Sequence, residues 1–247
     1  IVLDKTGTVT TGKMTLTDVF TDADGTVVEK ALSATSALRG LQGCADVEAL
    51  MAEVKPPEAP ATRRAVDATR ARLARVKVLA EAGKLPQALG LAAEEARNTA
   101  RLGYPPIHAE ALHLHAWTKL ISGENQGVPE LLTQAVWLAY ASHHDQVTAA
   151  ASVRLMGYYI GHGPPEQVAH WEPFARAALD RLGEQGELRA IFHNNRGLSL
   201  YQEGHFAEAY EAFDKAFALA ERQLGPANAM TLRYGTNVVA ALGNLDR

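Results

Sequence analysis

Residues 194–222 carry the clearest alternation of small and large apolar side chains in the sequence. The segment reads NNRGLSLYQEGHFAEAYEAFDKAFALAER, and Gly204 followed by a polar histidine interrupts it near its middle. The residues of this pattern are Gly197 before the break, Gly204 at the break, and Phe206, Ala209, Phe213 and Ala216 at helical spacing after it. We therefore predict two helices joined by a tight turn, in which the small residues let the helices pack closely.

Helix-breaking glycines recur at a regular interval over residues 83–225. One series, Gly83, Gly123, Gly163 and Gly204, has spacings of 40, 40 and 41 residues. A second series, about 20 residues away, consists of Leu102-Gly103, Leu182-Gly183 and Leu224-Gly225, with Ser142-His143 where a Leu-Gly pair is missing. Two interleaved series predict a helix, a short turn, a helix and a longer turn, repeated along the chain.

This repeat predicts four helical hairpins, over about residues 61–102, 107–141, 145–182 and 187–224, and a fifth first helix over about 227–242. Small or branched residues follow each glycine of the first series by five positions: Ala88, Val128, Val168 and Ala209. An isolated hairpin cannot bury its apolar face, so consecutive copies must stack on one another. We expect an all-α solenoid over residues 60–247, truncated in its fifth hairpin.

The alternation in residues 194–222 resembles the tetratricopeptide repeat, and Ala135 and Ala175 keep the position of Ala216 in earlier copies. The period resembles the longer variety of about 42 residues found in kinesin light chains and many bacterial regulators. This resemblance implies a right-handed superhelix of hairpins that binds proteins or peptides. In such repeats an asparagine in the middle of the first helix often hydrogen-bonds the backbone of an extended ligand, and Asn194, Asn195 and Asn237 match that position.

First helices line the concave side of a stack of hairpins. The register places these residues on or near that side: Arg70, Lys77, Glu110, His113, Trp117, Arg154, Asn194, Asn195, Tyr201 and Asn237. All of them except Glu110 are our candidates for partner binding. Two alternatives remain open, since Asn195 can instead bond a neighbouring helix, and Trp117 and Tyr201 can instead be core residues. The basic clamp that holds a terminal carboxylate in some members of the family is not evident, although Arg154 occupies one plausible place.

Composition narrows the function further. A net charge of −4 and a pI near 6.2 argue against a nucleic-acid binder, which normally carries a basic surface. The single cysteine, Cys44, favours a reducing compartment, and no apolar run is long enough to span a membrane. The histidines His113 and His115 lie two residues apart and point to different faces of a helix, so we predict no metal site and no cofactor.

The first residues carry an unrelated motif. The segment IVLDKTGTVTTGKM, residues 1–14, resembles the phosphorylation motif of P-type cation-transporting ATPases, in which the residue matching Asp4 accepts the phosphoryl group. The membrane helices, nucleotide domain and GDGxNDxP segment of that family do not occur in residues 15–247. A lone aspartate without these parts should not support catalytic phosphoryl transfer. A second string, Asp22 to Thr26, resembles the nucleophile loop of haloacid-dehalogenase phosphatases, but a turn that caps a helix is favoured.

Residues 16–79 resemble the region that follows the catalytic domain in large bacterial Ser/Thr protein kinases. Cys44, Asp46, Pro56 and Pro57 match a helical connector that precedes tetratricopeptide repeats in those kinases. With the repeats, this resemblance covers about nine-tenths of the chain. The glycine-rich loop, HRD and DFG strings of a kinase domain are absent from the sequence, so we predict that this chain is not itself an enzyme.

These observations predict three segments: residues 1–18 as an ATPase-like extended segment that is not an autonomous domain, 19–59 as a helical connector, and 60–247 as the repeat array. The predicted function is a cytoplasmic protein–protein interaction scaffold, the regulatory or sensory region of a bacterial signalling kinase. The alternative is a fragment of a P-type ATPase or a haloacid-dehalogenase-like phosphotransferase that uses Asp4. The oligomeric state is left open.

Overall fold

The computed structural model describes Val54, Pro57 and residues 59–183 and 186–245. This part of the chain contains nine α-helices and no strand, which confirms the predicted all-helical class. The helices are α1 (Pro60–Glu81), α2 (Leu85–Thr99), α3 (Pro105–Ile121), α4 (Val128–Ala141), α5 (Asp145–His162), α6 (Pro165–Arg181), α7 (Gly186–Gln202), α8 (Phe206–Leu224) and α9 (Ala229–Leu245). The predictions for residues 1–18, for most of the 19–59 connector, and for Asp4, Cys44 and Asp46 lie outside the described residues.

Each helix packs against the next one along the chain, and α1, α3, α5 and α7 also contact one another in sequence order. The pairs α1–α2, α3–α4, α5–α6 and α7–α8 coincide with the four predicted hairpins, and α9 begins and ends slightly later than expected. Between the helices lies an apolar core. One part of it joins α1, α2 and α3 through residues such as Val76 and Ile107, and another joins α3 to α7 through residues such as Leu132 and Met156.

The turns inside the hairpins follow the predicted glycines. Gly83, Gly123 and Gly204 adopt left-handed φ angles of 74°, 76° and 82°, which glycine tolerates because it has no Cβ. Gly163 differs, with φ of −141° and an extended backbone. Pro164 follows it, and a proline disfavours helical geometry in the preceding residue, so α5 ends there by a different route.

His143 is the left-handed residue that replaces a glycine in the second series. Its φ is 56°, compared with 64° for Gly103 and 68° for Gly183 at the equivalent turns. Within the described residues no other non-glycine residue has a positive φ. The backbone therefore keeps the repeat geometry even where the sequence departs from it.

The small residues predicted to allow close packing are buried. Ala88, Val128 and Ala209 have no exposed surface, and Val168 is 5% exposed. Gly197 of α7 lies so close to the ring of Phe213 on α8 that an added Cβ would come within 2.5 Å of the ring atom Cδ1. The small positions therefore mark the contacts between the two helices of a hairpin.

Hydrogen bonds between consecutive first helices repeat with the period of the sequence. Arg70 bonds Glu110, Arg154 bonds His113, Asn195 bonds the carbonyl of Val153, and Asn237 bonds Asn194. The partners are 40, 41, 42 and 43 residues apart, respectively. We call this set the polar ladder, and it shows that neighbouring hairpins meet in a similar register. Among the described residues, no helix has the length and apolarity needed to cross a membrane.

Candidate functional site

One cavity of about 550 Å³ runs across the first helices of the four hairpins. We call it the groove, and it is lined by Val54, Arg70, Leu73, Lys77, Glu81, Glu110, His113, Leu114, Trp117, His144, Gln146, Val147, Ala150, Arg154, Glu187 and Leu188. Apart from Val54, which precedes α1, these residues come from α1, α3, α5 with the residue before it, and α7. Second helices contribute none of the described lining, so the groove follows the row of first helices.

At one end of the groove, three charged or titratable groups satisfy one another. The guanidinium Nη2 of Arg70 lies 3.0 Å from Oε1 of Glu110, and Nε2 of His144 lies 3.2 Å from the same oxygen. Burial raises the pKa of Glu110, but the hydrogen bonds from His144 and Arg70 outweigh it, and the net pKa is below the ordinary value. Glu110 is therefore ionised, and the charge of Arg70 is neutralised within the fold.

Arg154 of α5 lies farther along the groove, against two residues of α3. Its Nε donates a hydrogen bond of 2.9 Å to Nε2 of His113, and its guanidinium carbon lies 5.7 Å from the ring centroid of Trp117. Arginine has no acceptor, so Nε2 of His113 must hold a lone pair and this histidine is neutral, with its proton on Nδ1. The contact with the Trp117 ring is within the range of a cation–π interaction.

Burial governs the protonation of this pair. It lowers the pKa of His113 well below its usual value, and the charges of Arg154, Lys77 and His144 lower it further. Burial also lowers the pKa of Arg154 to about 10, while the negative charge of Glu187 partly opposes this. At neutral pH the guanidinium is therefore charged and the imidazole is not. Among the described residues, no carboxylate lies within ion-pair distance of Arg154.

Two carboxylates on opposite sides of the groove complete its charge pattern. Glu81 ends α1, and Glu187 lies in the first turn of α7. Burial raises the pKa of Glu81, with the positive charge of Lys77 opposing this and the negative charge of Glu187 adding to it. The groove thus contains both cationic and anionic groups, rather than a surface of one sign.

The nine candidate residues divide into two groups. Arg70, Lys77, His113, Trp117 and Arg154 all line the groove. The other four lie in contacts between helices of the described fold, where Nδ2 of Asn195 donates to the carbonyl of Val153 at 3.0 Å and Nδ2 of Asn237 donates to Oδ1 of Asn194 at 2.8 Å.

Tyr201 accepts a bond of 2.7 Å from Nδ2 of Asn244, and its ring packs against Phe206 and Phe213. Asn194 and Asn195 are buried. The alternative in which Asn195 bonds a neighbouring helix therefore describes its observed contact. Tyr201 and Trp117 are both partly buried and pack against the apolar core.

Several groove residues were not predicted from the sequence, among them Glu81, His144, Gln146 and Glu187. Glu81 could have been found, because it lies four residues after Lys77 and so shares its helix face. Glu187 could not have been found in this way, because its distance from α1 depends on the orientation of α7 relative to α1, which the sequence pattern does not give. The described residues contain no group of three or more His, Cys, Asp or Glu side chains that could hold a metal ion.

An aromatic patch on the second helices was also missed. Trp137 and Tyr140 of α4 are each 49% exposed, and both contact Phe174 of α6, with ring centroids 5.7 and 5.9 Å apart. This aromatic patch lies on α4 and α6, which do not line the groove, so a substitution in it can serve as a control for a substitution in the groove.

Comparison of the sequence with models of protein families finds no match, and comparison with curated proteins finds none either. The functional proposal therefore depends on the geometry of the groove and on the resemblances carried by the sequence.

Proposed function

We propose that this chain is a tetratricopeptide-type scaffold that binds an extended segment of a protein partner in the groove. The observation that carries the proposal is the convergence of five separately predicted residues, Arg70, Lys77, His113, Trp117 and Arg154, on one cavity. They come from three different hairpins, so only the stacking of the hairpins places them together.

The dimensions and chemistry of the groove suit such a ligand. Its volume of about 550 Å³ falls in the range typical of ligand sites. It combines the apolar side chains Leu73, Leu114 and Val147 with a partly buried tryptophan and an arginine, and both of the latter residue types are enriched at the centres of protein interfaces.

We further propose that the chain acts in the cytoplasm as the regulatory or sensory region of a larger bacterial Ser/Thr kinase. This part of the proposal is supported by the resemblance of residues 16–79 to the connector of such kinases and by the lone Cys44. Occupation of the groove would then bias the activity of the attached kinase domain, provided that the partner binds its active and inactive states differently.

A peptide selection with the full chain tests the binding function. A library of random twelve-residue peptides, fused at their C-termini to a phage coat protein, is selected against the wild-type chain. The affinity of the enriched peptides is then measured for two variants of the chain. Trp117→Ala removes a tryptophan ring from the groove, and Trp137→Ala removes one from the aromatic patch on the second helices. We expect the first variant to lose binding and the second to retain it, with unchanged helicity by circular dichroism in both. Enriched peptides that ignore Trp117→Ala, or no enrichment at all, would contradict the proposal.

A further inference from the structure

Arg154 is an incompletely satisfied cation in the wall of the groove. Its Nε is bonded to His113, but its two terminal nitrogens have no hydrogen-bond partner among the described residues. The side chain is mostly removed from solvent, and a charge withdrawn from water is costly unless a counter-charge compensates it. Arg70, at the other end of the same groove, is compensated by Glu110 within the fold. Among the described residues, the charge of Glu187 acts on Arg154 without forming an ion pair with it, so the terminal nitrogens are available to an anion from outside the described fold.

The free edge of this guanidinium has a defined shape. With Nε occupied, the two terminal nitrogens present their N–H groups side by side, an arrangement that matches both oxygens of a carboxylate. The guanidinium lies beside the ring of Trp117, and its Nε donates a hydrogen bond to His113. These two contacts already restrict the orientation of the Arg154 side chain. Little further side-chain ordering is needed when an anion binds, and this favours affinity.

The other charged residues of the groove indicate which kind of anion can bind to Arg154. Glu81 and Glu187 line the same cavity as Lys77, whose positive charge acts on Glu81. Both glutamates repel a dianion, such as a phosphorylated side chain, more strongly than they repel a single carboxylate. A carboxylate carries a single charge, which Arg154 alone can neutralise. The same two glutamates attract a basic side chain placed next to the carboxylate in the ligand. The charge pattern therefore fits an acidic residue with a basic neighbour, rather than a phosphorylated segment or a run of acidic residues.

We infer that the groove recognises an Asp or Glu side chain within its partner, whose carboxylate pairs with the terminal nitrogens of Arg154 beside Trp117 and whose basic neighbour lies near Glu81 and Glu187. This inference rests on the proposed function, because it names the chemistry of the segment that the groove binds. His113 is a positioning residue in this arrangement, since it contacts Arg154 and not the ligand.

The selected peptides test the inference directly. Their fusion to the coat protein leaves no free C-terminus, so an acidic residue enriched at one position must act through its side chain. We expect Asp or Glu at that position with Lys or Arg beside it. Synthetic copies with blocked ends are then compared with copies in which the acid is changed to its amide. Replacement should weaken binding about 10- to 100-fold, the range for losing a charge-assisted hydrogen-bonded pair.

Variants of the chain complete a double-mutant cycle. Arg154→Gln should weaken binding of the acidic peptide by a similar factor and leave binding of the amide peptide unchanged. Arg181→Gln serves as the control, because Arg181 pairs with Asp145 and does not line the groove. Arg154→Lys keeps the charge but loses the paired N–H groups, so it should give an intermediate loss, and it replaces the glutamine variant if that variant does not fold. Retention of binding by Arg154→Lys and Arg154→Gln together would overturn the inference.

Three other outcomes also overturn it. The first is binding that depends on Trp117 but not on the acid, which would leave the proposed function standing and remove only the carboxylate. The second is enrichment only in a library displayed with free C-termini, which would assign the groove to a chain terminus. The third is tighter binding of a phosphoserine copy of the peptide than of the acidic copy, which would show that the field of Glu81 and Glu187 does not select against a dianion.

Discussion

Gly197→Ala tests whether the hairpins pack as the structure describes. Gly197 lies inside α7, and an alanine Cβ there would come within 2.5 Å of Cδ1, 2.6 Å of Cε1 and 3.0 Å of Cγ in the ring of Phe213. Phe213 is 1% exposed and packs with residues of α7, α8 and α9, so movement of its ring would disturb these contacts. Overpacking of this kind costs about 1–3 kcal/mol, and we take the upper end because three ring atoms are involved.

The change also has a favourable contribution, because alanine favours a helix interior over glycine by about 1 kcal/mol. The net expectation is a loss of about 2 kcal/mol in the free energy of unfolding. Gly90→Ala provides the matched control, since Gly90 lies inside α2 and nothing lies within 4 Å of an added Cβ. That variant should gain about 1 kcal/mol from helix propensity alone. The two glycine-to-alanine variants should therefore change the free energy of unfolding in opposite directions and differ from each other by about 3 kcal/mol.

Urea unfolding followed by circular dichroism at 222 nm measures both variants against the wild-type chain. Repeat arrays can depart from two-state unfolding, so the comparison uses the transition midpoint and slope together. Phe213→Leu in the Gly197→Ala background should recover part of the loss, because the smaller side chain makes room for the methyl group. A Gly197→Ala variant as stable as wild type would show that α7 and α8 do not approach as closely as described.

Three further predictions concern the ladder, the groove and pH. Asn195→Ala should lower the free energy of unfolding by about 1 kcal/mol, the worth of a typical hydrogen bond, and leave peptide affinity unchanged; a loss of affinity at unchanged stability would instead place Asn195 in the binding site. Ala150→Glu puts a carboxylate one helical turn before Arg154 in the groove, so it should weaken acidic peptides more than 10-fold in a titration, and unaltered binding would contradict the role of Arg154. Burial and the charges of Lys215, Arg196, Arg189 and Arg176 lower the pKa of His193 from 6.5 to about 4, so the unfolded chain binds this proton first, and stability present above pH 6.5 should fall as the pH approaches 4. His193→Gln should show a shallower fall in urea midpoints over that pH range, and an equally steep fall would contradict the assignment.

The fold was largely predictable because the repeat is encoded locally. Glycine positions mark the turns, and small residues such as Ala88 and Ala209 mark the contacts inside hairpins, so spacing alone located the helices. The differences arise where local chemistry offers alternatives. Gly163 could have ended its helix in a left-handed turn, but the proline after it led to an extended residue.

The site was predictable only in part, because register identifies which residues face inward but not what each one bonds. Arg154 and Asn195 occupy corresponding positions 41 residues apart, and both were candidates for contact with a ligand, with a bond to a neighbouring helix left open for Asn195. The side chain of Asn195 bonds the carbonyl of Val153 on α5. It also lies against Gly157 of α5, where an added Cβ would come within 2.7 Å of Nδ2 of Asn195, so this side chain is enclosed between α5 and α7. The presence of glycine at position 157 is what lets the asparagine side chain fit there, and no pattern in its own helix reveals this.

The polar ladder explains why these corresponding positions differ in their availability to a ligand. Each position bonds back to the preceding first helix, so a side chain there must satisfy the ladder before it can contact anything else. The asparagine amide is short, and its Nδ2 is committed to the neighbouring helix at both Asn195 and Asn237. Arginine has five N–H donors on a longer side chain, so Arg154 bonds His113 through Nε and still presents its terminal nitrogens to the groove. Under the proposed function, the length of the side chain at the ladder position decides whether a hairpin contributes to stacking alone or also to recognition.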